Sequence, residues 1–70
     1  MLKTIKAISK TNIPEHPAVG AIYHLVFEDG TTDLVYEETF YHQYVDFPTV
    51  PAQHLVGRDI NTEYAYFDLN

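Results

Sequence analysis

The chain has 70 residues, no cysteine, four lysines or arginines against ten aspartates or glutamates, and a formal net charge of −6 at pH 7. That length makes one domain, residues 1–70, whose core is marginal because so short a chain buries only about 60% of its unfolded surface, and it has neither disulfides nor a CxxC-type zinc spacing to staple it. Lys3, Lys6 and Lys10 precede Thr11, after which ten acids stand against Arg58 alone, a balance of −9 that disfavours nucleic acid and anionic membrane as direct partners and favours basic proteins.

Met1 to Ser9 (MLKTIKAIS) reads as a strand from its β-branched Thr4, Ile5 and Ile8, although Leu2, Ile5 and Ile8 recur every third residue and keep a short helix open. It carries no signal-peptide pattern, and no apolar run reaches membrane-spanning length, so a soluble cytoplasmic protein is the expectation. Thr11 to Gly20 contains Pro14 and Pro17, which disfavour helix, and is expected to cross as a loop.

Ala21 to Tyr36 (AIYHLVFEDGTTDLVY) reads as a β-hairpin closed by Asp29-Gly30, because Asp-Gly between two β-rich runs suits a type I′ turn. A two-residue loop sets Phe27 opposite Thr32, Leu25 opposite Leu34 and Tyr23 opposite Tyr36. Alternation along each strand then gathers Phe27, Leu25, Tyr23, Leu34 and Tyr36 on a core face. The other face holds Ile22, His24, Val26 and Glu28 with Thr31, Asp33, Val35 and Glu37, a mixture of aliphatic and acidic side chains. A slip of one residue would exchange the faces.

Phe40, Tyr41, Tyr44 and Val45 form the stripe of a short amphipathic helix over about Glu38 to Val45, with acids at its start and Pro48 forbidding its continuation. The competing reading extends the strand through Tyr41. Thr49 to Gly57 resembles one helical turn whose Leu55 and Val56 cap the core, and Thr62 to Leu69 is a strand candidate. Together these define an α+β domain, a small antiparallel sheet of about four strands with one short helix, with an SH3-like small β-barrel as the alternative.

Catalytic chemistry finds little support. His16, His24, His42 and His54 lack short metal-ligand spacings, and the expectation is that His24 and His42 are partly buried while the other two lie in loops. Serine occurs once, at Ser9, and the three glycines are too dispersed for a phosphate loop. Neither an enzyme nor a cofactor is expected. Two binding readings remain. In the first, the acids imitate DNA and occupy the basic DNA-binding surface of another protein. Glu28, Asp33, Glu37 and Glu38 would carry this, with Asp46, Asp59 and Glu63 as a second cluster, since carboxylates at i and i+2 along a strand lie about 6.6 Å apart. A domain with a radius of gyration of about 11 Å is under-charged beside the same length of duplex, so this reading favours a homodimer. The second reading is an adaptor binding through Tyr41, Tyr44, Phe47, Tyr64 and Tyr66, because tyrosine is enriched at interface hot spots.

In size, acidity, tyrosine content and lack of cysteine, the whole chain resembles the small acidic early proteins with which bacteriophages disable host machinery, in particular DNA-mimic inhibitors of the histone-like protein HU. Anti-CRISPR proteins share the same composition. The resemblance implies a basic, HU-like partner, no direct contact with nucleic acid, and action in the host cytoplasm.

Overall fold

In the computed structural model, which describes residues 1–62, four antiparallel strands form one sheet in the order β3-β2-β1-β4. The elements are β1 (Leu2–Lys10), β2 (Ile22–Phe27), β3 (Thr32–Tyr36), the helix α1 (Glu37–Gln43), a short 3-10 turn (Ala52–Leu55) and β4 (Asp59–Asn61). The α+β expectation of about four strands and one short helix is met, but the fourth strand is Asp59–Asn61. The strand expected at Thr62 to Leu69, with Glu63, Tyr64 and Tyr66, lies outside the described residues beyond Thr62.

The hairpin sits where Asp-Gly places it, in a different register. Ile22 lies opposite Tyr36, Tyr23 opposite Val35, His24 opposite Leu34, Leu25 opposite Asp33 and Val26 opposite Thr32, one residue away from the two-residue-loop expectation. The cause is the turn. A type I′ turn needs positive φ at both central residues, yet here only Gly30 has it, at +86°. The Gly30 N–H donates to the Phe27 carbonyl at 2.9 Å and the Phe27 N–H to the Thr31 carbonyl at 2.8 Å, closing a three-residue loop with glycine at the left-handed position. Leu34 and Tyr36 therefore leave the expected core face, and Val35, fully buried, replaces them.

β1 is a strand throughout, and its period of three has a structural cause. Ile5 pairs with Phe27 and Ile8 with Leu25, so three steps on β1 oppose two on β2 across a bulge between Ile5 and Ala7. The extra residue returns Ile8 to the same face as Ile5, and both are buried. That face collects Ile5, Ile8, Leu25, Phe27, Val35 and Ile60, covered by Phe40 from α1, by Tyr44 just after it, and by Phe47 and Leu55. Fully burying each such side chain stabilises the fold by about 1.5–3 kcal/mol.

α1 begins one residue earlier than expected and ends two earlier, at Gln43. Phe40 and Tyr44 point inward, but Val45 is fully exposed, since the chain has left the helix before it. The turn at Ala52–Leu55 follows Pro51 and buries Leu55, while Val56 is exposed and does not cap the core. Among the described residues no helix is long and apolar enough to cross a membrane.

Candidate functional site

The candidate site is built from carboxylates, and the question at each is what neutralises it. Asp29, in the hairpin turn, accepts hydrogen bonds from the hydroxyl and N–H of Thr31, and Lys3 Nζ lies 3.2 Å from its Oδ2. The Thr31 hydrogen bonds, reinforced by Lys3, hold its carboxyl well below the ordinary value, at about 2. Lys10 pairs with Glu15 at 3.0 Å. Arg58 grips Asp46 with two parallel hydrogen bonds of 2.6 Å, which lower the Asp46 pKa and raise that of Arg58. The guanidinium also sits 5.7 Å from the centre of the Tyr44 ring. Three of the four cations are therefore engaged with acids.

Glu28, Asp33, Glu37 and Asp59 have no lysine or arginine partner among the described residues. Glu28 is exposed at the turn, its N–H donating to the Thr4 carbonyl. Asp59 is exposed on β4 and accepts from the Thr4 hydroxyl. Glu37 opens α1 and packs on the loop before β2. A Cβ at Gly20 would meet its Oε1 and lie 3.1 Å from its Cβ, so this close approach requires glycine at 20, where φ is +78°. Glu38 follows, with Oε1 3.4 Å from His42 Nε2 one helical turn on.

Asp33 departs from the expected arrangement. Pairing with Leu25 turns it to the core side of the sheet, at the edge strand, where it is half-buried and accepts a hydrogen bond from the Leu34 N–H at 2.9 Å. The opposite sheet face, expected to be mixed and acidic, instead carries Ala7, Ser9, His24, Val26, Thr32, Leu34 and Tyr36 across β1, β2 and β3, and among the described residues its one carboxylate within a strand is Asp59, opposite Thr4 on β4. The expected hairpin row thus becomes a sparse arc. Glu28 marks the turn, Asp33 the core side of the β3 edge, and Glu37 and Glu38 the start of α1. Asp46 belongs to the Arg58 pair, Asp59 lies on the opposite edge strand, and Glu63 is outside the described residues. Asp29, whose carboxyl is held at about 2, was not among the expected acids; the threonine directly after Asp-Gly was the signal for its hydrogen bonds.

The aromatic surface shrinks as well. Tyr44 and Phe47 are each only 8% exposed, and the Tyr44 hydroxyl donates to the Asp59 carbonyl, while burial pushes its pKa up to about 12. Tyr41 stays half-exposed, its ring edge-on to Phe47 at 5.0 Å. His42 is exposed, contrary to expectation, and among the described residues no three histidines or acids converge as metal ligands. No protein-family model matches the sequence, and neither a characterised protein nor a solved structure matches it.

Proposed function

We propose that this protein is an acidic interaction module that occupies the basic DNA-binding surface of another protein, acting as a DNA mimic of the kind phages direct against HU-like host proteins in the cytoplasm. The observation that carries this reading is the partition of charge. Lys3, Lys10 and Arg58 are used internally, against Asp29, Glu15 and Asp46, while Glu28, Asp33, Glu37 and Asp59 keep no lysine or arginine partner among the described residues. An unpaired surface carboxylate contributes long-range attraction for a basic surface that a paired one does not.

One copy is sparse beside its model. Its longest extent is 29 Å, a length over which duplex DNA carries about 17 charges at one per 1.7 Å, against a net −6 here. Two copies acting together approach that density, so the reading includes a homodimer.

Binding to a purified HU-like protein, followed by calorimetry, tests the reading. Affinity is expected to fall about tenfold or more between roughly 50 and 300 mM salt, and to fall again when Glu28→Gln and Glu37→Gln are combined. Affinity indifferent to both changes would count against it. The adaptor reading is favoured by one feature, the exposed Tyr41 and Val45 at the end of α1. It predicts a partner whose binding resists salt and is lost in Tyr41→Ala.

A further inference from the structure

The sequence carries one Asp-Gly dipeptide, Asp29-Gly30, and no Asn-Gly. An aspartate before glycine is prone to modify itself, because glycine has no side chain to keep its nitrogen away from the preceding carboxyl. The Gly30 nitrogen attacks Cγ of the protonated Asp29 carboxyl, a C–N bond forms, and the carboxyl hydroxyl leaves as water with the Gly30 proton. Water then reopens the resulting succinimide ring. Opening at the Asp29 main-chain carbonyl leaves the chain running through the β-carboxyl, as isoaspartate, with no net gain or loss of atoms. Packing does not prevent this here. The turn is exposed, and a Cβ built on Gly30 would meet no described atom within 4 Å.

Hydrogen bonds take the place of packing. The nucleophile is occupied, since the Gly30 N–H donates to the Phe27 carbonyl at 2.9 Å. The electrophile is held as a carboxylate: Asp29 Oδ1 accepts from both the N–H and the hydroxyl of Thr31, and Oδ2 lies 3.2 Å from Lys3 Nζ. Lys3 also donates to the Thr31 hydroxyl oxygen at 2.7 Å, so β1 fixes the group that fixes Asp29. The same contacts lower the carboxyl to about 2, and an ionised carboxylate lacks the proton with which its oxygen leaves as water. We propose that Asp29-Gly30 is a latent isoaspartate site that the folded hairpin keeps closed, with Thr31 as the residue that closes it. Isoaspartate adds a main-chain carbon to the turn and takes the carboxylate away from Thr31 and Lys3, so conversion weakens the hairpin and is not undone by refolding. The covalent state of the chain thereby depends on how long it stays folded.

The test stores native protein, and protein held unfolded in guanidinium chloride, at neutral pH and reads isoaspartate by enzymatic transfer of a labelled methyl group to its carboxyl. No basic partner is needed, so the outcome is independent of the mimic reading. The unfolded parent is expected to accumulate label and the native parent to lag it by about tenfold or more, because unfolding removes two hydrogen bonds to a charged acceptor. Asp29→Glu, whose longer side chain disfavours the ring closure, is expected to leave only background label in the unfolded chain, a comparison that does not require the variant to fold. Thr31→Val keeps a β-branched side chain and the N–H but deletes the hydroxyl. It is expected to raise the native rate about tenfold, with circular dichroism confirming that it is folded at the storage temperature. Native parent that converts as fast as the unfolded chain overturns the proposal. So does label that persists in unfolded Asp29→Glu, or a folded Thr31→Val protein that converts no faster than the parent.

Discussion

The Asp29 carboxyl is held down at about 2, and this happens at an exposed turn because Thr31 donates twice to its ionised form and Lys3 stands beside it. The sign of the resulting pH dependence follows directly. A carboxyl whose pKa is lower in the folded than in the unfolded chain stabilises the fold above the unfolded value, near 3.8, and loses that contribution as pH falls toward about 2. Asp29→Ala is therefore expected to lower the thermal midpoint at pH 7, with the gap to the parent closing progressively from about pH 5 to pH 2. Melting curves of both proteins across that range check it. A gap of constant size would mean that the side chain acts by shaping the turn and not by its charge. Such detail is legible only partly in the chain: Asp-Gly-Thr announces a turn with a local side-chain hydrogen bond, but Lys3, 26 residues earlier, reaches Asp29 only once β1 lies beside β2.

At the scale of the elements, the sequence is most informative where one strong local preference acts and least where two compete. Pro48 and the Phe40–Tyr44 spacing place α1 to within two residues. Asp29-Gly30 places the hairpin but not its register, because the same dipeptide serves a two-residue loop if Asp29 takes positive φ and a three-residue loop if Gly30 alone does. The difference of one residue exchanges Val35 with Leu34 and Tyr36, and moves Asp33 across the sheet. β4 was not legible at all. Only Ile60 in Asp-Ile-Asn favours a strand, and the segment is held by its pairing with β1 and by side chains of α1. That dependence is testable. Gln43→Ala removes both hydrogen bonds to Asn61 and is expected to cost about 1–3 kcal/mol by urea denaturation, with faster amide exchange at Asn61 than in the parent. Unchanged stability and exchange would show that β1 alone holds the strand.

Across the whole molecule, the dimensions agree with those expected of so short a chain, a radius of gyration of 11.1 Å. The composition made the excess of acid plain, yet it could not say which acids the few cations neutralise. Arg58 stands 12 residues from Asp46 and Lys3 26 from Asp29, and both pairings exist only in the folded chain. What remains after those pairs is a discontinuous set of acidic side chains, Glu28, Asp33, Glu37 and Asp59. On the proposed reading, these acids compete with DNA for a basic protein. The most direct measurement is displacement: a fluorescent duplex bound to a purified HU-like protein, titrated with this chain while anisotropy is read at low and high salt. Anisotropy is expected to fall to the level of unbound duplex, with less protein required at low salt, and the Glu28→Gln, Glu37→Gln protein is expected to displace poorly. Duplex that stays bound at saturating protein, or displacement equal at both salt concentrations, would contradict it.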